Sequence, residues 1–477
     1  MCPEKPRRWA ARMPASSERL VAFLLVMRYK PVRRLRRGLC NRRAELDRCW
    51  GEGRDGLGYA APMQDKKLWN SLLGMQRPWA VCDVKLARAD REVKVWVEHG
   101  SAPLKCPECG CKCPGYDTRE RRWRHLDTMQ YKTIVIAAVP RVNCTVHGVH
   151  QVQVPWAEAG GRFTAMFEAL IIDWLHEASV SAVRRELGLS WDQVAHVQAR
   201  AVKRGLARRE LEPPTAVGLD ETSFRKGHDY VTVMNDIDRS RVIHVADNRT
   251  VASADECFAA LDESNAKSLR WITMDMWPAY IKSATGHVPD AAERIVFDKF
   301  HIAQYLGNAI DLVRREEHRE LMRGGNDRLK GSRYSWLRNP QNMSHRQRRS
   351  FKALRTSKLK VARAWAIKEL AMTLWNYQTR GWAERAWKRW YSWAIRCRLE
   401  PIKNVARTIK RHWQGVINAA VSNVTNAAAE SINSRIQKVK RMAHGFRNRD
   451  RFRDAIYFHL GGLDLYPDGA QYAHTES

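Results

Sequence analysis

The sequence lacks an apolar segment long enough to cross a membrane. Near the N-terminus the longest apolar run, Leu20 to Met27, has eight residues, whereas a membrane-spanning helix needs about 20. No small-residue cleavage pattern follows this run, and four arginines between 33 and 37 come soon after it. We therefore expect neither a membrane span nor a secretory signal.

Acidic residues are scarce relative to basic ones. The 477 residues include 51 Asp and Glu against 83 Lys and Arg, which gives a net charge of +32. Such a balance favours a polyanionic partner, because each phosphate that is neutralised releases condensed counterions. We expect nucleic acid as the partner rather than a membrane surface.

Cysteine is too unevenly distributed for a disulfide framework. The eleven cysteines are an odd number, and four of them lie between Cys106 and Cys113. This clustering is typical of metal binding in a reducing compartment.

Two short motifs carry the metal-binding pattern, Cys106-Pro-Glu-Cys109-Gly and Cys144-Thr-Val-His147-Gly. A two-residue spacer lets a tight turn aim both donors at one tetrahedral Zn²⁺, and the following glycine permits the turn. We predict a structural zinc site formed by Cys106, Cys109, Cys144 and His147. The alternative is reduced cysteines that only pack, and Cys111, Cys113 and His150 are alternatives for the third and fourth ligands.

Three helices are predicted after the zinc-binding segment: Phe163 to Glu177, Val180 to Leu187 and Trp191 to Arg208. Gly188 ends the second helix, while Ser190 and Gln193 form a capping box at the start of the third. The arrangement resembles a helix-turn-helix, with a plain helical bundle as the alternative. In a helix-turn-helix, the third helix would present these side chains to the major groove: Trp191, Gln193, His196 and Arg200.

Beyond Pro213-Pro214 the pattern changes to a period of two and predicts five strands. These strands are Ala216 to Asp220, Asp229 to Met234, Arg241 to Ala246, Arg270 to Asp275 and Arg294 to Asp298. A helix from Ser253 to Asn265 and another near Ala279 to Ser283 separate the later strands. This is the sequential order of a ribonuclease H-like fold, in which strands one and four are neighbours. Asp220 and Asp275 would then meet at adjoining strand ends, although either acid alone could be a turn residue.

A third acid, Glu430, begins a helical segment after the small residues of Asn426-Ala-Ala-Ala. Asn433, Ser434 and Gln437 share its face of the helix. We predict that this segment also follows the DNA backbone, with a merely solvated basic face as the alternative. The proposed contacts are Arg435, Lys438, Lys440, Arg441, Arg447 and Arg449.

The fold class that results is multidomain α+β. Its segments are a basic unstructured tail or mis-started extension at 1–62, a zinc-binding domain at 63–155, a helix-turn-helix DNA-binding domain at 156–212, the first part of a ribonuclease H-like core at 213–302, a helical insertion at 303–422, the catalytic helix with the basic C-terminal part of the core at 423–465, and a tail at 466–477. The insertion is rich in tryptophan, which indicates either a hydrophobic core or stacking against unpaired bases. Its markers are Trp365, Trp375, Trp382, Trp387, Trp390 and Trp393.

Together these motifs resemble the ISL-three type of bacterial insertion-sequence transposases, members of the DDE superfamily. The resemblance runs from Met63 to about Leu465 and rests on the first metal pair and on further motifs. These are Gly218-Leu-Asp220-Glu-Thr-Ser-Phe-Arg-Lys-Gly-His, Asp275-Met-Trp-Pro-Ala-Tyr, Asp298-Lys-Phe-His301, Asn426-Ala-Ala-Ala-Glu430-Ser-Ile-Asn-Ser and Gly445-Phe-Arg-Asn. The chain departs from the family pattern in residues 1–62 and at His147, where a cysteine is expected.

The resemblance implies Asp220, Asp275 and Glu430 as ligands of Mg²⁺ (or Mn²⁺), with two ions about 3.5 to 4 Å apart. It implies binding of double-stranded DNA, both terminal inverted repeats and target, and a homodimer or higher oligomer on that DNA. The expected location is the bacterial cytoplasm, in association with the nucleoid. The role of Asp298 and His301 stays open. The alternatives are a structure-selective nuclease of the same fold and a non-catalytic regulator derived from a transposase.

Overall fold

The computed structural model describes residues 66–225, 229–422, 424 and 427–469. The predicted extension at 1–62, Asn426 and the last eight residues of the predicted tail lie outside these ranges. No helix within them is long and apolar enough to span a membrane.

The first domain consists of a short helix followed along the chain by the strands of a five-stranded sheet. The helix is α1 (Lys66–Leu72), and the strands are β1 (Trp79–Ala87), β2 (Glu92–His99), β3 (Gly115–Thr128), β4 (Tyr131–Cys144) and β5 (Gly148–Gln151). The order is β1-β2-β4-β3, with β5 paired to β4. Val93, Val95 and Val97 are buried and alternate with less buried residues, as expected for a strand with one face on the core. Strand β3 was not predicted, because its first half is charged and exposed.

Three helices follow: α2 (Ala165–Glu177), α3 (Val180–Leu187) and α4 (Trp191–Arg208). The first begins two residues later than predicted, because the Thr164 hydroxyl accepts a hydrogen bond from the Phe167 N–H and so caps the helix. Gly188 ends α3 with a left-handed φ of 62°, and Ser190 forms the predicted capping box with Gln193. The turn geometry therefore agrees with a helix-turn-helix.

A second five-stranded sheet forms the core. Its strands are β6 (Ala216–Arg225), β7 (Asp229–Asp236), β8 (Arg241–Asp247), β9 (Trp271–Met274) and β10 (Ile295–Phe297). The order is β10-β9-β6-β7-β8, with β6 parallel to β9 and antiparallel to β7. The first and fourth strands are neighbours, as the ribonuclease H-like prediction requires.

The helix predicted from Ser253 to Asn265 is two helices, because the Asp262 side chain caps a new start. These are α5 (Val251–Ala259) and α6 (Glu263–Ser268); α7 (Pro278–His287) and α8 (Ala291–Arg294) follow β9. They cover one face of the core sheet together with the insertion, and they share one hydrophobic core with it.

The regular elements that the structure describes in the insertion are helices. The α-helices are α9 (Lys299–Arg323), α10 (Arg333–Leu337), α11 (His345–Arg355), α12 (Lys360–Thr373), α13 (Arg380–Arg396), α14 (Glu400–Arg411) and α15 (Trp413–Val421). Trp387 and Trp390 are fully buried, which supports the hydrophobic-core interpretation for them. Trp382 is 60% exposed and Trp393 is 39% exposed, so these two contribute less to the core.

Two C-terminal helices, α16 (Ala427–Met442) and α17 (Arg449–Leu460), complete the core. Ile432, Ile436 and Ile456 pack in one hydrophobic cluster with Val194 and Val197 of the helix-turn-helix. The helix-turn-helix is therefore packed against the C-terminal helices of the core rather than separated from them by a linker. Residues at the start of the predicted tail also contact it, since Arg208 donates a hydrogen bond to the Tyr466 carbonyl.

Candidate active site and zinc ribbon

The register of the parallel strands brings two predicted acids together. Leu219 of β6 pairs with Met274 of β9, so Asp220 and Asp275 are the next residues on neighbouring strands. One prediction was wrong in detail: Asp220 does not end its strand. Strand β6 continues to Arg225 because β7 goes on pairing with it, while β9 ends at Met274.

The helix that carries the third acid lies along β6. The Asn433 Nδ2 donates to Asp220 Oδ2 at 2.6 Å, and the Gln437 Nε2 donates to Thr222 Oγ1 at 2.8 Å. Glu430 is exposed and lies three residues before Asn433, which places it on the same face of α16 one turn earlier. Glu430 is therefore one helical turn from the contact between Asn433 and Asp220.

The three predicted acids do not form a tight cluster by themselves. Within the described ranges, the Cys–His set described below is the group of three or more donors that lie within 4.8 Å of one another. Asp220 and Asp275 are half-buried, whereas Glu430 is exposed.

Two residues that the sequence analysis did not select lie at the site. One guanidinium nitrogen of Arg249 is 3.0 Å from Glu221 Oε1, and another is 3.6 Å from Asp275 Oδ2. The same guanidinium stacks over Trp277 at 4.3 Å from the ring centroid. Glu221 could have been selected as the neighbour of Asp220, but Arg249 lies just before a helix and carries no periodic signal.

The Asp298 and His301 pair also lies at the site. His301 Nδ1 is 3.8 Å from Asp275 Oδ2, and its Nε2 is 3.8 Å from Asp298 Oδ2. Asp298 caps α9 by accepting a hydrogen bond from the Phe300 N–H at 2.8 Å. The spacing of this pair therefore lets one imidazole face two carboxylates.

The electrostatics of the site favour a bound cation. Burial, together with the neighbouring Glu221 carboxylate, raises the pKa of Asp220 to about 7. Burial also raises the pKa of Glu221. Crowded, desolvated carboxylates resist ionisation unless positive charge offsets them. Their oxygen donors are those that Mg²⁺ and Mn²⁺ prefer, so the residues present fit a divalent metal.

The first domain contains a second constellation of donors, and its geometry fits Zn²⁺. The Cys109 and Cys144 sulfurs are 3.8 Å apart. The Nδ1 of His147 lies 3.8 Å from the Cys106 sulfur and 3.6 Å from the Cys144 sulfur. A tetrahedron with Zn–S bonds near 2.3 Å has edges of roughly 3.8 Å, so the four donors are spaced as zinc requires.

The surroundings of the Cys144 sulfur lower the pKa of its thiol. Backbone N–H groups of His147 and Val146 donate toward its sulfur and lower its pKa to about 6, which favours the thiolate that ligates zinc. The alternative ligands Cys111 and His150 are not in this set of four donors. Cys111 is exposed, and His150 Nε2 lies 2.8 Å from the His147 carbonyl oxygen. Cys113 is half-buried beside the cluster, with its sulfur 3.5 Å from the Cys111 carbonyl oxygen.

Comparison with known proteins identifies the family to which these domains belong. Residues 102–147 match the zinc-finger of transposase IS204/IS1001/IS1096/IS1165, and residues 152–202 match the helix-turn-helix domain of transposase family ISL3. Residues 217–456, half of the chain, match the transposase domain of the ISL3 family. The chain belongs to the ISL3 family of transposases.

Two relatives cover most of this transposase. A transposase for insertion sequence element IS1557 from Mycobacterium tuberculosis is 28% identical over 418 residues, which are 81% of this chain and 93% of the relative. A transposase for insertion sequence element IS1001 from Bordetella parapertussis is 26% identical over 396 residues, which are 82% of this chain and 97% of the relative.

The helix-turn-helix of the transposase presents only some of the predicted DNA contacts freely. His196 is exposed, and Trp191 stacks against the Arg451 guanidinium at 4.1 Å. The Gln193 side chain accepts a hydrogen bond from the Ser190 N–H as part of the capping box. Arg200 points inward and pairs with buried Glu168, so its observed contacts are internal ones.

The predicted basic contacts on and after α16 also divide into two groups. The exposed ones are Arg435, Lys438, Arg441 and Arg447. Lys440 instead donates to the Ser223 carbonyl at 2.7 Å, and Arg449 pairs with Asp229 at 2.6 Å. These two side chains fasten the C-terminal helices to the core sheet.

Proposed function

We propose that this transposase cleaves the ends of its insertion sequence and joins the freed 3′-hydroxyl groups to target DNA, with Asp220, Asp275 and Glu430 as metal ligands. One observation carries the proposal most directly. The acids of two parallel neighbouring strands are adjacent, and the Asn433 hydrogen bond to Asp220 seats the helix of Glu430 at the same edge.

The metal would be Mg²⁺ or Mn²⁺, held by the three carboxylates. When bound, two such ions supply activation of the attacking hydroxyl and stabilisation of the leaving oxygen. The protein's own part is to hold the ligands. Asn433 fixes one oxygen of Asp220, while Arg249 and His301 face Asp275. These contacts would hold the carboxylates in the orientation that metal binding requires.

The zinc ribbon and the helix-turn-helix would bind the terminal inverted repeats. The two relatives are named as transposases for insertion sequence elements, and a protein of that kind must recognise the ends of its own element. Exposed His196 and the exposed basic residues of α16 are the proposed contacts that remain available. Because two ends must be joined in one event, the proposed assembly on DNA is a dimer or larger, associated with the nucleoid.

A strand-transfer assay tests the proposal. The full chain is incubated in Mg²⁺ with a labelled duplex that carries the terminal repeat and with target DNA, beside the Glu430→Gln variant. We expect joined products that disappear in the variant while binding of the repeat persists. Glu263→Gln, which alters an exposed acid on α6, is the matched control and should remain active.

The alternatives give different results in the same assay. Cleavage without joining would favour a structure-selective nuclease. Binding without cleavage by the parent protein would favour a regulator, and full activity of Glu430→Gln would refute the role of that acid.

A further inference from the structure

One segment of the insertion contains no acidic residue. From Arg328 to Lys368 the sequence has thirteen Lys or Arg and neither Asp nor Glu. A stretch of this length with one sign of charge repels itself in the folded state, and binding of a polyanion relieves that repulsion.

The centre of this segment is helix α11, which packs through one side only. Phe351 is buried, while the basic side chains around the rest of the helix are exposed. These basic side chains are Arg346, Arg348, Arg349, Lys352 and Arg355. Arg346, Arg349 and Lys352 lie on other sides of the helix from Phe351 and face solvent. Arg348 and Arg355, three residues before and four residues after Phe351, border its buried side while remaining exposed.

These cations lack the ion pairs that neutralise other basic residues of the protein. Among the described residues, no carboxylate lies within 4.0 Å of a cationic nitrogen of Arg346, Arg349 or Lys352. On helix α14, by contrast, Lys403 and Arg407 both pair with Glu400, at 2.9 and 2.7 Å. Arg346, Arg349 and Lys352 therefore make no ion pair of the kind that Glu400 makes on α14.

The C-terminal contacts that the sequence analysis selected are partly used inside the protein. Arg449 pairs with Asp229, and Lys440 donates to the Ser223 carbonyl. Arg435, Lys438, Arg441 and Arg447 are exposed. The exposed cations of α11 form a second basic surface in addition to these four.

A shallow cavity of about 410 Å³ lies beside this helix. It is lined by Arg348, Arg349, Lys352, Arg355 and Trp365, among others. Arg348 is held in place by a 3.1 Å hydrogen bond from its Nε to the Met343 carbonyl, and the Arg355 guanidinium lies 6.0 Å from the centre of the Trp365 ring. The cavity thus combines a hydrogen-bonded arginine and other cations with the aromatic ring of Trp365.

We propose that this surface of α11 binds the phosphodiester backbone of double-stranded DNA, as a contact additional to the helix-turn-helix and α16. The inference rests on the proposed function, because it assigns another part of the DNA to the same enzyme. Arginine binds phosphate through paired N–H donors, and backbone contacts fix the position of DNA without reading its sequence. The surface therefore binds any duplex that reaches the insertion, whether it is target DNA or a flank of the element.

The test compares two double variants of the full chain that remove the same charges. Arg349→Gln with Lys352→Gln removes one arginine and one lysine from α11. Lys403→Gln with Arg407→Gln removes the same pair of residue types from α14, where both pair with the Glu400 carboxylate. Dissociation constants are measured over a range of salt concentrations on a terminal-repeat duplex and on a scrambled duplex.

We expect the α11 variant to bind both duplexes roughly tenfold more weakly near 0.15 M salt. The slope of log K against log salt should become shallower by up to about 1.8, since each lost phosphate contact contributes about 0.9. The α14 variant should differ from the parent by less than about twofold. Thermal unfolding checks that both variants fold, and the single variant Arg349→Gln, with half the slope change, replaces the double one if it does not.

Unchanged affinity and slope in the α11 variant would overturn the inference. A loss restricted to the terminal-repeat duplex would also overturn it, because a backbone contact cannot distinguish the two sequences. A change in self-association without DNA would assign the surface to contact between copies of the chain instead. If the parent protein binds neither duplex, the proposed function fails as a whole.

Discussion

Asn433 donates a hydrogen bond of 2.6 Å to Asp220, which precedes it by 213 residues. The contact joins α16 to β6 after the chain has passed through the whole insertion. The end of the insertion is anchored to the same sheet, since the Asn418 Nδ2 donates to the Ile295 carbonyl at 2.8 Å. The chain is thus attached to the sheet at the end of the insertion and again on α16, and Glu430 lies between these two contacts in sequence.

Replacement of Asn433 by Ala should reduce strand cleavage roughly 10- to 100-fold, the usual effect of losing a partner that orients a metal ligand. Asp220 would keep its charge but lose the donor that fixes one of its oxygens. The measurement is the cleavage rate at increasing Mg²⁺, in which part of the loss should be recovered at high metal concentration.

The control for this prediction is Ser434→Ala, which changes the adjacent, exposed residue of the same helix. It should cleave like the parent protein. Equal activity of Asn433→Ala and the parent would show that the hydrogen bond does not position Asp220.

Replacement of Asp220 by Asn should stabilise the protein at alkaline pH in buffer without added divalent metal. The folded-state pKa of Asp220 is raised to about 7, whereas its unfolded value is near 3.9. The folded protein therefore binds this proton more tightly, and its stability falls as pH rises from about 4 to about 7. Above that range the variant should be more stable by about 2 to 4 kcal/mol.

The measurement is urea unfolding of both proteins at several pH values. The difference between them should shrink toward zero near pH 4 and should diminish at pH 8 when Mg²⁺ is added. Asp327→Asn, at an exposed position, should show no such difference. A constant difference across the pH range would contradict the assigned shift.

Much of the fold could be predicted from the sequence because its signals are local. The capping box of Ser190 and the left-handed Gly188 depend on a few consecutive residues, and the alternation of valines marks β2 without reference to any neighbour. The adjacency of Asp220 and Asp275 followed from the order of strands in a known topology. Domain boundaries and site roles were predicted in the same way and remain predictions.

The features that escaped prediction depend on contacts between distant segments. Arg249 becomes part of the site only because the fold places Glu221 and Asp275 on either side of it. The inward turn of Arg200 depends on Glu168, a buried acid on another helix. Strand β3 has an exposed, charged first half, so its pairing with β4 rather than its own pattern makes it a strand.

Replacement of Cys144 by Ser should remove zinc from the first domain and destabilise it by more than about 2 kcal/mol, since binding of a structural metal contributes directly to folding. Cys144 is buried and shares a small cluster with Cys106 and Val142. The measurements are the zinc content per chain and the thermal unfolding temperature. Cys111→Ser is the matched control, because Cys111 is exposed and outside the set of four donors. Loss of zinc in that control, or retention in Cys144→Ser, would require a different ligand set.

Acidification should weaken the junction between the zinc-binding domain and the helix-turn-helix through His125. Its ring Nδ1 lies 2.9 Å from the hydroxyl of Thr164, the residue that caps α2, and burial lowers its pKa to about 4. The pKa of a histidine in the unfolded chain is about 6.5, so the unfolded chain binds this proton more tightly than the folded protein does. The free energy of unfolding therefore falls as pH drops from about 6.5 to about 4.

Replacement of His125 by Gln removes the titrating group but keeps a side chain able to hydrogen-bond with Thr164. The parent protein should lose about 2 to 3 kcal/mol more than this variant between pH 7 and pH 4, measured as the free energy of unfolding in urea. Exposed His345, changed to Gln, provides the control and should follow the parent at every pH. An identical pH dependence in His125→Gln would mean that another group, such as half-buried His459 with a similarly lowered pKa, governs the acid sensitivity.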